Sequence, residues 1–160
     1  MAQATMSGSA LEGLVYINGL DIWKEYGVFL AEEKRGGREN LTAIMTPAKA
    51  KEHTGVDIRE RDGTKYAAKL DTRSAERDVT LHFALFAPTQ ERWLERYKAF
   101  IRLLKQGDGG WLHVRLPELD LTMKMFYMDS TAYKPLTCLW KQGVHASRFK
   151  VRFREPEPSF

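Results

Sequence analysis

Four histidines, His53, His82, His113 and His145, are the side chains best suited to proton transfer or metal binding in this chain. None belongs to an HExxH pattern. The sole cysteine, Cys138, has no partner thiol, so zinc-ligand spacing is absent. His82 and His113 both fall in strand patterns, and a small hydrolase would need them to converge with a carboxylate; half-exposed strand histidines are the plainer reading. The carboxylate pairs Asp57 with Asp71 and Glu118 with Asp120 carry no feature that would push one pKa away from the other, as acid–base catalysis requires. There is no Gly-x-Ser-x-Gly elbow, and Cys138, between Thr137 and Leu139, reads as a packed thiol in a strand that forms no intrachain disulfide. Gly107-Asp108-Gly109-Gly110 follows a helical pattern and opens a strand, the reverse of a phosphate-cradling loop. The residues therefore predict no catalytic group, no cofactor and no metal.

One pattern suggests binding. Arg148, Lys150, Arg152 and Arg154 alternate with Phe149, Val151 and Phe153, which places four cations on one face of a strand. Such a row suits a phosphate backbone, so single-stranded nucleic-acid binding is the alternative function. The plainer reading is an edge strand guarded by charge against unwanted pairing. The net charge of +4 comes from 25 basic and 21 acidic residues that are interspersed, the pattern of a solvated surface. Trp23, Trp93, Trp111 and Trp140 each lie beside apolar residues and read as core or interface.

The elements that would position these residues are mostly strands. Thr89–Gln106 is the exception. Trp93, Leu94, Tyr97, Phe100, Ile101 and Leu104 form an apolar helical stripe, and Glu91, Arg92, Glu95, Lys98, Arg102 and Lys105 lie opposite. Thr89 is a natural N-cap, and Gly107 a left-handed stop. Val79, Leu81, Phe83 and Leu85 alternate with polar or small residues, as do Leu119, Leu121, Met123 and Met125, giving half-buried strands. Tyr133–Lys141 and Ser147–Phe153 read as a final pair. Asn18-Gly19 and Asp62-Gly63 are hairpin turns, the second within a hairpin over 55–70. Asp21-Ile22-Trp23 reads as extended. Between 31 and 55 the chain is charged and glycine-bearing, with a small apolar patch at Leu41, Ile44 and Met45; this predicts a protruding arm or loop. A flexible N-terminus over 1–13, with neither signal peptide nor membrane anchor, and one domain over 14–158 complete the plan. The fold class is α+β, mainly β: an antiparallel β-sandwich or partly closed barrel with one flanking amphipathic helix (89–106).

The order of elements resembles phage distal tail (tail-hub) and related tail-tube-like proteins in a prophage version. Ile17-Asn18-Gly19-Leu20-Asp21-Ile22-Trp23-Lys24-Glu25-Tyr26-Gly27-Val28-Phe29-Leu30 is similar to their opening, a turn after a strand and then a segment ending in Tyr-Gly-Val. Leu41–Lys51 and the 55–63 hairpin look like their loop and arm. Arg77–Phe86 followed by the 89–106 helix resembles their centre, and Phe149–Pro158 their closing strand and Glu-Pro-x-Pro tail. The resemblance implies a non-enzymatic structural subunit forming a hexameric ring at the tail tip, which continues the tail tube and anchors the baseplate. It implies a homo-oligomer with other tail or baseplate proteins as partners, no membrane and no specific nucleic-acid binding. It also implies assembly in the bacterial cytoplasm and residence in the virion tail. Tube subunit and tail terminator stay open beside distal tail protein, and longer distal tail proteins add a C-terminal domain. No catalytic residue carries over. Assembly is assigned to the 31–55 segment, with Arg35, Arg38, Leu41, Ile44, Met45 and Lys51 as candidate interface residues, together with the 55–70 hairpin and free strand edges.

Overall fold

A computed structural model describes residues 10–137 and 143–160. Cys138 and Trp140 lie outside the described residues. The strands are β1 (Tyr16–Ile17), β2 (Leu20–Asp21), β3 (Val28–Leu30), β4 (Val56–Asp57), β5 (Thr64–Lys65), β6 (Arg77–Ala87), β7 (Leu112–Leu116), β8 (Leu121–Pro135) and β9 (His145–Glu155). The helices are α1 (Ile22–Tyr26), α2 (Glu39–Met45) and α3 (Gln90–Gln106). Seven strands form one curled sheet in the order β2-β1-β7-β8-β9-β6-β3, while β4 and β5 pair separately. The strand pairings are antiparallel. The expected sandwich or partly closed barrel is thus a half-barrel, mainly β, with α3 lying in its concave face.

Strand alternation builds the core. On β6 and β9, Val79 faces Phe153, Leu81 faces Val151 and Phe83 faces Phe149, all buried. Helix α3 lays Phe100 and Leu104 over them, with the Phe100 ring 5.4 Å from Phe83 and 6.0 Å from Phe149. The Trp93 indole N–H donates to Ser147 Oγ at 3.1 Å, tying the start of the helix to β9. Thr89 caps α3 by accepting from the Arg92 amide at 3.2 Å. Gly107 ends it at φ 46°, ψ −142°, a positive-φ conformation outside the left-handed helical region expected. Leu94, assigned to the apolar stripe, is exposed, because the buried line runs Trp93, Tyr97, Phe100, Leu104 and leaves residue 94 on its flank.

Four expectations about elements change. Ile22 and Trp23, expected to be extended, open a helix over Ile22–Tyr26: Asp21 Oδ1 accepts the Trp23 amide at 3.1 Å, and Gly27 closes the turn at φ 65°. Strand β8 runs unbroken from Leu121 to Pro135, through bulges near Tyr127/Asp129 and Thr131/Lys134, where two strands were expected. Strand β9 lies between β8 and β6, so its basic row does not guard a sheet edge. Finally, the 31–55 segment contains α2, which packs Ile44 and Asn40 against β6.

Two asparagines extend the sheet where strands run out. Asn18 and Gly19 form the two-residue turn between β1 and β2 at φ 52° and 80°, and Asn18 Oδ1 accepts the His113 amide at 2.8 Å. Asn40, almost fully buried, accepts the His82 amide at 2.6 Å and donates to the His82 carbonyl at 3.2 Å, as a neighbouring strand would.

Gly27 marks the tightest junction. A Cβ there would stand 2.5 Å from the Phe86 carbonyl oxygen and 2.7 Å from Arg96 Nη1, which itself bonds that oxygen at 2.9 Å. Gly27→Ala combines a clash with a positive φ and is expected to cost about 2 kcal/mol or more in urea unfolding.

Candidate assembly interface

The hairpin carrying β4 and β5 projects much further than its two-residue strands suggest. Its root is closed by the Lys51 amide donating to the Arg73 carbonyl and the Ala75 amide to the Lys49 carbonyl, both at 2.7 Å. Ala50 and Ser74 bridge between them. Nearer the tip, Val56 pairs with Lys65 and Asp57 with Thr64. From residue 49 to 74 no side chain is buried, and Val56, Tyr66 and Leu70 are large apolar residues left in solvent. An isolated two-stranded ribbon has no core of its own, and this one leaves those apolar side chains uncovered by the described residues. The exposed hairpin over 49–75 contains the one expected over 55–70, with Asp62-Gly63 between its strands, whereas α2 docks the middle of the 31–55 segment on the sheet.

The root of the arm is held by a buried ion pair. Arg77 Nε lies 2.7 Å from Glu155 Oε1, with the two side chains 6 % and 1 % exposed. The same guanidinium donates to the carbonyls of Ile44 at 2.9 Å and Thr46 at 2.6 Å, and the Phe160 ring lies 5.1 Å from it. Arg77 thus joins the end of α2, the first residue of β6, the last residue of β9 and the tail. The chain leaves for the arm just after Thr46 and returns just before Arg77. Sequence reading missed this pair, yet it left a signal. Arg77 is in phase with Val79, Leu81 and Phe83, and Glu155 with Phe153 and Val151, so both charges fall on the buried parity of their strands.

The proposed interface residues separate. Leu41 and Met45 are exposed on α2, at 43 % and 50 %. Ile44, between them, is 2 % exposed and packs in the core of its own chain. Arg35 is exposed; Arg38 donates to the carbonyls of Gly36 and Gly37 at 3.2 and 2.8 Å, and Lys51 sits at the root of the arm.

The basic row of β9 is on the outer face of the sheet, and acidic or carbonyl oxygens meet each of its members. Arg154 Nε donates to Asp78 Oδ1 at 2.8 Å, and Arg152 Nη2 to Asp129 Oδ2 at 2.9 Å. Lys150 lies 3.2 Å from Glu33, and Arg148 donates to the Glu33 carbonyl at 3.2 Å. The hydrogen bond from Arg154 holds the Asp78 carboxyl below the usual carboxylate range, with the charges of Arg154 and Arg152 adding to it against partial desolvation. A carboxyl lowered on folding stabilises above its unfolded pKa of about 3.9, and that contribution disappears as pH falls through the folded value. Asp78→Asn is expected to flatten the drop in urea midpoint between neutral pH and about pH 3, by a small amount because the pair is half-exposed.

The histidines stay apart. His82 on β6 and His113 on β7 are separated laterally by β8 and β9, about 14 Å of strand spacing, and are also offset along the sheet, since His113 pairs with Lys124 of β8 while His82 lines up through Lys150 with Thr131; the hydrolase arrangement does not form. His53 is on the arm, and His145 is buried at the start of β9. Asp57 is on β4 of the arm, and Glu118 lies in a short 3-10 turn ahead of Asp120. Among the described residues, no three His, Cys, Asp or Glu side chains gather as metal ligands, and no helix is long and apolar enough to cross a membrane.

Among the described residues, a curled antiparallel sheet, one covering helix and an exposed hairpin define a mainly β module. The fold has a known counterpart in SPP1 Dit, described as a paradigm of the hub adsorption apparatus in phages that infect Gram-positive bacteria. The two superpose with a TM-score of 0.58 at 14 % identity, over 91 % of this chain and 50 % of that one. This chain accordingly spans half the length of SPP1 Dit. No family model and no curated protein matches it.

Proposed function

We propose that this chain is a non-enzymatic structural subunit of a phage or prophage tail, forming a homo-hexameric ring at the tail tip that joins the tail tube to the baseplate. The fold shared with SPP1 Dit over 91 % of the chain carries this reading. The exposed arm and the short edge strands support it, because a closed ring covers such surfaces without leaving a free end. Contacts are assigned to the 49–75 arm and to the neighbouring surface of Arg35, Arg38, Leu41, Met45 and Lys51. Other tail or baseplate proteins bind the two faces of the ring. The subunit is made in the bacterial cytoplasm and resides in the virion tail. Along a lumen that passes DNA, charge balance of the kind seen on the β9 face limits attraction to phosphate.

Light scattering across a range of protein concentrations tests the proposal. The expected species has the mass of six 18.4 kDa chains. A monomer at every concentration contradicts self-assembly, and a monomer whose affinity for single-stranded DNA falls steeply with salt would replace the proposal with nucleic-acid binding.

A further inference from the structure

Strand β8 is 15 residues long, but β7 pairs with only its first part, Leu121 to Met125. From Phe126 to Pro135 its strand partner among the described residues is β9 alone, and its other backbone edge is paired with none of them. Beside this edge runs α3. Between them lies a groove of about 560 Å³, floored by Tyr97, Tyr127 and Tyr133 and rimmed by Lys98, Arg102 and Lys105. The three cations are exposed and stand one above the other at i, i+4 and i+7 on the helix. Among the described residues none of them forms an ion pair, whereas the outer-face cations of β9 are engaged. Lys105 Nζ lies 6.0 Å from the centre of the Tyr127 ring, so the rim reaches over the floor.

We infer that this groove is a docking site for an extended acidic segment of a partner protein, added as a further strand along β8. Added strands gain affinity from main-chain hydrogen bonds and specificity from alternate side chains. Here the acidic side chains would be those on the groove side, over the tyrosine floor and within reach of Lys98, Arg102 and Lys105. A segment of five to six residues spans about 17–20 Å, shorter than the open half of β8. An unpaired cationic rim favours an acidic occupant over a neutral one, and uncompensated surface charge also speeds its capture.

The test uses the full chain and a short fluorescent peptide of alternating Glu and Val, followed by polarisation. Saturable binding is expected. It should weaken at least about 10-fold when alternate peptide nitrogens are methylated, which removes main-chain donors without touching the protein. It should weaken similarly in the triple variant Lys98→Glu/Arg102→Glu/Lys105→Glu, whose helix content is checked by circular dichroism. The inference is overturned if the peptide does not bind, or binds equally well when methylated. It is also overturned if a Lys/Val peptide binds as tightly, or if the β8 amides are already protected from exchange in a self-assembled form, which would assign the edge to a second copy. The two proposals fail by different results. Rings that ignore the peptide would remove this inference alone, and a peptide-binding monomer would remove the other.

Discussion

Arg77→Met is expected to lower the stability of the chain by about 3–5 kcal/mol, read as a fall in the urea midpoint at unchanged slope. The size follows from what the substitution leaves behind. Glu155 is 1 % exposed and would keep a charge in the core with its cation gone. The Ile44 and Thr46 carbonyls would lose their donor as well. Breaking a buried pair from one side is costly for this reason, whereas replacing both partners with apolar residues of similar volume is often neutral. Arg77→Met combined with Glu155→Leu should therefore recover much of the loss. A double variant as unstable as the single one would mean that the carbonyl contacts, rather than the stranded carboxylate, dominate. In either case residues 44–46 lose an anchor, and exchange at the root of the arm should rise more than at β7.

Excision of the arm should have the opposite signature. Replacing residues 52–72 with a short glycine-rich turn removes a segment with no buried side chain and keeps the Lys51–Arg73 closure. The core loses nothing, and a shorter loop costs little or no entropy. Tm is expected to shift by no more than about 4 °C, corresponding to roughly 1 kcal/mol in a domain of this size. The proposed assembly, by contrast, should fail altogether, leaving a monomer. Substituting Val56, Tyr66 and Leu70 together with serine isolates the apolar part of that effect. If the excised chain assembled normally, the arm would have no place in the interface, and contacts would fall to α2 and the strand edges.

Much of the architecture can be read from periodicity. Val79, Leu81, Phe83 and Leu85 mark β6, and Thr89 with the Trp93-to-Leu104 stripe marks α3 to within a residue. Asn18-Gly19 marks a turn whose positive φ values the structure contains. Short elements were less legible. Helix α1 is five residues long and is fixed by one capping carboxylate, too little for a helical repeat to show. Helix α2 was hidden because only Ile44 and Asn40 are buried; Leu41 and Met45, equally apolar in sequence, face solvent. The unbroken course of β8 was obscured by its bulges, which disturb the alternation that would have joined its halves. On the surface, Asp62-Gly63 marked the hairpin of β4 and β5, whereas the docking of α2 within 31–55 was not legible. Charge and glycine content mark exposure without saying where a chain docks. The basic row on β9 was evident as an alternation, while its acidic partners came from Glu33, Asp78 and Asp129, which are distant in sequence and visible only after folding.

The central claim is a ring, and imaging the assembled fraction of the purified chain in negative stain tests it most directly. Sixfold rings with an open lumen are the expected particles. Closed particles without a lumen, or a monomer in every fraction, would contradict the ring.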